Sequence, residues 1–353
     1  MGLEGVDPTN RFGDLPEIGE VSGRGEWEEL VKDSISPTVF HTWSWKEFLE
    51  KQGYSLTYVV LRNARGKAIA GWPFYPKTYY RIVRMIEPLP RSDLSYALLT
   101  ERADTGELAP KILGFLKAMP PWKRVIVAKI KLLDRHLCEK LVREGSEILA
   151  HSGSVLLDLE KKPPSHIWEA ILSKKDRQKL RQFENEGFEF RLATERKEVD
   201  ELHRLHGMNL IRLGSPVRPA SFYTDLWEIM NPEFFQIANI SLNDKVVCSG
   251  GFFTFRPTRT VHLSYIGYDH EQLRNRQIQL FLDWSTLKWA WENGFKYVNF
   301  GTAPYDPSHV YQKLKTCFGG EFVPIYAVRI PLHPRILKLL RPVYNHIKSS
   351  LRI

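Results

Sequence analysis

Two β-hairpins set 178 residues apart constrain the fold of this chain more than any other feature. Leu56–Leu61 and Ala68–Tyr75 are apolar runs around the turn Asn63-Ala64-Arg65-Gly66, and two such runs about an Asn/Gly turn read as a hairpin. Phe235–Ile240 and Val246–Phe255 repeat the pattern around Asn243-Asp244. Laid over each other, Lys67-Ala-Ile-Ala-Gly71 answers Lys245-Val-Val-Cys-Ser249. That match alone is weak, because any two hairpins share turn chemistry. Its context constrains more: each hairpin sits in the order helix, hairpin, strand, helix. The repeat predicts a mixed α/β fold (α+β, mixed sheet), duplicated as two lobes in one chain.

Apolar spacing places the other elements. Glu26 to Gln52 has helical periodicity through Trp27, Leu30 and Val31, then Trp45, Phe48 and Leu49. Leu108–Met119 and His136–Leu149 read as helices, and Arg124–Ile130 and Ser154–Leu159 as strands. After Pro163-Pro164 a basic helix is expected over Ile167–Asn185 and a strand over Phe188–Leu192. A helix over Val199–Leu213 should stop before Gly214 and Pro216. Helix Phe222–Met230, strand Thr260–Tyr268, helix Gln277–Trp291 and strand Tyr297–Phe300 complete the second unit. The long helix carries Leu280, Trp284, Leu287 and Trp291 on one stripe. The expected organisation is a flexible arm (1–22), a first domain (23–162), a second domain (163–330) and a basic tail (331–353).

Composition removes several classes. Hydrophobic residues make up 43% of 353 positions and aromatics 12%, enough for a large core and too many for a disordered chain. No uncharged apolar run reaches the roughly eighteen residues of a membrane span. Met1–Glu20 holds five acids and no apolar stretch, so it does not read as a signal peptide. Cys138, Cys248 and Cys317 are far apart, which argues against a disulfide framework or zinc site and for a reducing cytoplasm. The formal net charge of +9 favours anionic partners. A basic but ordinary enzyme fits it equally well.

Three segments are candidates for chemistry. Ser173-Lys-Lys-Asp-Arg-Gln-Lys-Leu-Arg181 stacks Lys174, Arg177 and Arg181 at i, i+3 and i+7, a cationic face able to hold phosphates. A solvated surface helix is the plainer reading. Val298-Asn-Phe-Gly-Thr-Ala-Pro-Tyr305 followed by Leu314-Lys-Thr-Cys-Phe-Gly319 is a strand end entering a Gly/Pro-rich loop, where α/β proteins place ligands. Lys315 there can stabilise an oxyanion or phosphate, or stand as an exposed lysine in a turn. Arg212 at a helix end and Arg218 in the loop beyond it can grip a carboxylate or phosphate, though capping carbonyls is the commoner use. His203 and His206 have no acid or cysteine placed to make a metal signature. No G-x-S-x-G, P-loop or dinucleotide fingerprint occurs.

At these residues the sequence resembles the FemAB-like branch of the GNAT acyltransferase superfamily, whose members carry two GNAT-like units. Lys174-x-x-Arg177-x-x-x-Arg181 with Gly187 is similar to the basic helix opening the family's second unit. Arg212-Leu-Gly-Ser-Pro-Val resembles an Arg-x-Gly-x-Pro segment of the subgroup associated with exopolysaccharide and exosortase gene clusters. Gly294-Phe-Lys-Tyr-Val-Asn-Phe-Gly301 resembles the G-x-x-x-x-D-F-G strand, and Leu314-Lys315-x-x-Phe318-Gly319 the F-K-x-x-[FW]-G motif. The matches span about residues 165–325. Asn299 departs from the family's Asp, and Leu314 from its Phe.

The resemblance implies transfer of an acyl or aminoacyl group to an amine. Its best-understood members attach amino acids from aminoacyl-tRNA to a peptidoglycan precursor. By that analogy Lys315 is the oxyanion or donor-phosphate ligand, and Arg212, Arg177 and Arg181 hold an anionic acceptor or donor. Tyr265, Tyr305 and Asn299 align the amine, and Gly301, Phe318 and Gly319 are further substrate-binding positions. The acceptor expected is an amine on a nucleotide- or lipid-linked envelope precursor or surface polysaccharide. No permanent cofactor or metal is implied; the donor is a co-substrate, aminoacyl-tRNA or an acyl thioester. GNAT enzymes using acetyl-CoA bind pyrophosphate at a Gly-containing turn. Leu273-Arg-Asn-Arg-Gln-Ile-Gln279 has no glycine, which weighs against acetyl-CoA there. The tail, with Ile336-Leu-Lys-Leu-Leu340, reads as an amphipathic basic helix, either lying on the inner membrane surface or docked on the body. The expected location is the cytoplasm, with the inner membrane face as a further partner where the tail lies on it. Two rivals stay open: a small-molecule N-acyltransferase using acyl-CoA or a carrier-protein thioester, and a catalytically silent membrane- or RNA-binding protein.

Overall fold

The computed structural model describes residues 17–79, 83–118, 125–273, 276–304 and 316–335. The first half runs β1 (Glu17–Glu20), α1 (Arg24–Asp33), α2 (Trp43–Lys51), β2 (Thr57–Arg62), β3 (Ala68–Tyr79), β4 (Val83–Pro88) and β5 (Leu98–Leu99). It continues through α3 (Thr105–Ala118), β6 (Val125–Leu132), α4 (Arg135–Arg143) and β7 (Glu147–Asp158). The second half runs α5 (Pro164–His166), α6 (Lys174–Asn185), β8 (Glu189–Leu192), α7 (Val199–Arg212), α8 (Ala220–Met230), β9 (Phe235–Leu242) and β10 (Lys245–Phe255). Then come β11 (Thr260–Tyr268), α9 (His270–Leu273), α10 (Ile278–Glu292), β12 (Tyr297–Pro304) and β13 (Glu321–Pro331).

All the described strands join one mixed sheet in the order β1-β2-β3-β4-β6-β13-β7-β12-β11-β10-β9-β8, with β5 pairing β3. The duplication is visible in that order. The hairpins β2–β3 and β9–β10 occupy matching places, and each half contains one parallel pair, β4 with β6 and β11 with β12. The halves are stitched at the centre: β7 of the first pairs β12 of the second, and β13 inserts between β6 and β7.

Alternation along the strands divides the apolar side chains between two faces. Val60 and Phe253 enter a core shared by both halves, with Trp27 of α1, Trp45 and Phe48 of α2, and Phe222 and Tyr223 of α8. Their neighbours Val59 and Phe252 point the other way, into separate cores under α3 and α4 and under α6 and α10. Lys51 of α2 pairs with Asp225 of α8 at 2.9 Å, fastening the halves on the shared side.

Several expectations are corrected. Glu17–Glu20, inside the stretch expected to be a loose arm, is strand β1, paired to β2 from Glu17 against Arg62 to Glu20 against Val59. The helix expected over His136–Leu149 ends at Arg143; the chain turns at Gly145, and Glu147 begins the twelve-residue β7. The basic helix expected from Ile167 is broken at Ser173, whose Oγ accepts the Asp176 N–H at 3.1 Å and caps α6. Trp291, placed on the buried stripe of α10, is 42% exposed. Strand β13 went unforeseen because Pro324 argues against a central strand; it lies opposite Gly153, which has no side chain to crowd it. The tail helix beyond residue 335 lies outside the described residues.

Candidate active-site cleft

Strands β11 and β12 pair in parallel over only three positions, from Thr260 with Tyr297 to His262 with Asn299. Beyond these they part, for two local reasons. Tyr265 pairs with Gly251 of β10 and Leu263 with Phe252, so Ser264 is an extra residue with no partner across the ladder. On β12 the register to β7 slips between Asn299 and Thr302. There Gly301 sits at φ 79°, a backbone setting that a side chain would strain, and its N–H donates to Asn299 Oδ1 at 2.8 Å.

The gap is a cleft of about 300 Å³. Ser264, Tyr265 and Gly301 border it from the strands, and Leu282 and Asp283 from α10. Arg212 closes it at the end of α7, and Asp93 reaches it from the first half. Asn209 positions Arg212: its Nδ2 donates to the Ile266 carbonyl of β11 at 3.0 Å, and its Oδ1 accepts Arg212 Nη2 at 3.0 Å. Asn209→Ala strands the Ile266 carbonyl and is expected to cost about 1–2 kcal/mol, read as an earlier urea midpoint. A midpoint unchanged from the parent protein would contradict that placement.

Behind α7 lies a second charged layer. The Arg218 guanidinium stacks 4.6 Å from the Phe222 ring and 5.0 Å from the Tyr265 ring. Its Nη1 is buried with no hydrogen-bond partner among the described residues. Arg91, in a left-handed conformation, stacks on Phe222 at 5.5 Å. His206 bonds the Tyr223 hydroxyl through Nδ1 at 2.5 Å. Burial, with Arg218 adding repulsion, lowers the His206 pKa to about 4. Burial pushes the Tyr265 phenol up, and Arg218 pulls against that shift.

The structure therefore brings Arg212, Tyr265 and Gly301 together at the cleft and places the other described candidates elsewhere. Asn299 is 4% exposed and turned to the opposite side of β12, where it holds the Gly301 bulge. Arg177 donates to the Trp168 and Glu169 carbonyls at 2.9 and 3.0 Å, fastening the turn before α6. Arg181 lies over the Trp168 ring at 5.4 Å. Phe318 stacks on Phe300 and Trp284, one layer behind the cleft wall. The Gly319 carbonyl accepts from Lys162 Nζ at 2.8 Å. Lys315, Tyr305 and Leu314 lie outside the described residues. Sequence reasoning missed Asp93, Asn209 and Asp283. Asp283 left a signal, being a lone acid in the middle of the apolar helix α10.

Residues 172–312 match the family described as Acetyltransferase (GNAT) domain. Among solved structures, a crystal structure of FemX shares 11% identity at a TM-score of 0.71 over 92% of this chain and 99% of that one. A tandem GNAT protein from the clavulanic acid biosynthesis pathway shares 9% at 0.59, covering 91% and 99%. L-PGS from Bacillus licheniformis shares 14% at 0.54, covering 87% and 96%. Likeness at such identities establishes a shared fold. Compared with curated proteins, the sequence finds no match.

Proposed function

From an acyltransferase domain of the GNAT superfamily at residues 172–312, set in a tandem FemAB-like fold, we propose that the chain acylates or aminoacylates an amine on an anionic cell-envelope precursor. The observation that carries this reading is the charge layout of the cleft. Arg212, Asp93 and Asp283 line it, Arg218 stacks on its wall residue Tyr265, and Arg91 stacks on Phe222 beside Arg218. Guanidinium groups suit a phosphate or carboxylate of the acceptor, and carboxylates suit its amine.

The chemistry asked of the protein is modest, because the donor ester or thioester is already activated. The amine nitrogen attacks the acyl carbon, a C–N bond forms, and the bond to the donor oxygen or sulfur breaks. Asp283 or Asp93 takes the proton the nitrogen releases. The backbone N–H groups at the Ser264 bulge hold the oxygen as it becomes negative, a task that the family resemblance also assigns to Lys315. Tyr265 walls the cleft and aligns the amine. The donor is aminoacyl-tRNA or an acyl thioester. The protein works in the cytoplasm, and its basic tail brings it to the membrane face that carries a lipid-linked acceptor.

Arg212→Ala is expected to raise the acceptor KM by about 10- to 100-fold, the worth of one charge-assisted contact of roughly 1.5–3 kcal/mol, and to leave kcat within about threefold. Steady-state kinetics on a UDP-linked precursor measures both. A KM indifferent to Arg212 would remove the anionic-acceptor reading. Saturation by acyl-CoA with a small amine, and none with charged tRNA, would replace it with the small-molecule N-acyltransferase.

A further inference from the structure

A second cavity, of about 320 Å³, lies on the shared-core side of the sheet, where β11 and β12 still pair. Both halves build it. Phe40 and Leu94 come from the first half, Leu156 from β7, Phe253 and Phe255 from β10, and Val323 from β13. It shares Ile35, Ser36, Tyr96 and Leu133 with an adjoining cavity of about 220 Å³ walled by Leu98, Leu99 and Leu132, with Asp134, whose Oδ1 accepts the Leu137 N–H at the start of α4, as its one charged lining residue among those described. Ile35, 62% exposed, stands at the shared rim.

The two clefts differ in charge. Among the described residues lining the second cavity there is no Asp, Glu, Lys or Arg, whereas Asp93, Arg212 and Asp283 line the first. An ionic ligand would lose its hydration here with no counter-charge to replace it. The polar side chains lining it are hydroxyl, amide and imidazole groups, among them Ser154, His262 and Asn299, each under 5% exposed, with Thr258 and Thr260 nearer the surface. Apolar walls with a few converging polar groups are the usual make-up of a small-molecule site.

We propose that this cavity binds an uncharged, elongated and largely apolar small molecule with one hydrogen-bonding end. The end meets Ser154, His262 and Asn299, and the apolar body runs toward Ile35 and the adjoining cavity. Occupancy is felt at the first cleft through one bond. Asn299 Oδ1 accepts the Gly301 N–H, and Gly301 borders that cleft. A ligand that draws on Asn299 therefore competes for the oxygen that fixes the bulge. The binding site stands independently of the proposed reaction, since it requires no turnover.

The test uses the full chain and N-phenyl-1-naphthylamine, a neutral fluorophore that brightens in apolar surroundings. Saturable one-to-one binding is expected, with displacement by n-alkanols strengthening from butanol to decanol and none by decanoate at equal concentration. Ile35→Asp at the exposed rim and Thr260→Trp at the wall should each weaken the probe by about tenfold or more. Arg212→Ala, in the other cleft, should leave its Kd within about twofold. Asn299→Asp, which keeps an acceptor for Gly301 but brings a charge, should also weaken it. Thermal melts confirm that each variant is folded, and Ile35→Asp decides the matter if a buried substitution unfolds. Absence of saturable binding, displacement by decanoate as readily as by decanol, or a Kd that follows Arg212 and ignores Ile35 would each overturn the assignment.

Discussion

Gly267→Ala is expected to lower the thermal midpoint by roughly 4 °C, a loss of about 3 kcal/mol. A Cβ at Gly267 would lie 2.1 Å from the Leu205 carbonyl carbon and 2.2 Å from the His206 nitrogen. Both are backbone atoms of α7, so no side-chain rotation relieves the clash; the helix must lift from β11. Lifting it stretches the Asn209 bond to the Ile266 carbonyl and draws Arg212 away from the cleft. Ligand affinity at the cleft should therefore fall together with stability. Gly207→Ala, on the same helix, is the control. Its Cβ would meet only Val217 Cγ1, at 3.4 Å, and replacing a helical glycine should be neutral or add up to about 1 kcal/mol. Equal midpoints for Gly267→Ala and the parent would mean that α7 is not seated as described.

Acid should destabilise the protein steeply between pH 6.5 and 4. His41 is fully buried: Nδ1 accepts the Thr38 backbone N–H at 3.0 Å, so Nε2 carries the proton donated to the Tyr96 carbonyl at 2.9 Å. A second proton would set two donors face to face. Burial lowers its pKa from 6.5 to about 4, and His206 is lowered to about 4 as well, by burial first and then by Arg218. In that window the unfolded chain binds a proton at each histidine and the native protein does not, so stability rises with pH. The contribution is fully present above pH 6.5 and lost as pH falls to 4. Each shift corresponds to about 3 kcal/mol. Urea midpoints measured from pH 7.5 to 4.5 should fall steadily below 6.5, with a shallower slope in His206→Gln. A flat profile would mean that these imidazoles are charged in the native protein.

The sequence disclosed what is local and periodic. Both hairpins stand where their turns put them, and α7 ends after Arg212 because Gly214 and Pro216 follow. The strands at the seam were legible only in part: Ser154–Leu159 marked the second half of β7, while its first half and β13 were hidden. Each is stabilised by partners from the other half, and their own patterns are spoiled by features that only pairing explains, such as Pro324 opposite Gly153. The site divides in the same way. Arg212, Tyr265 and Gly301 carry local signals: a helix end, a strand, and a glycine in a loop motif. Asp93 could not be read from the chain, because it meets the cleft across more than a hundred residues of sequence. Asn299 showed a departure from the family motif, and only the fold reveals that its side chain serves the Gly301 bulge from the opposite face of the sheet.

The central claim is transfer of an activated acyl group to the amine of an anionic acceptor. Mass spectrometry of a UDP-linked envelope precursor incubated with the protein and either charged tRNA or acyl-CoA tests it most directly. The account predicts a precursor heavier by one acyl or aminoacyl group, with the amide on its free amine and the yield falling in Arg212→Ala and Asp283→Asn. An unaltered precursor with both donors, alongside stable binding of tRNA or anionic lipid, would contradict it and leave a silent binding protein.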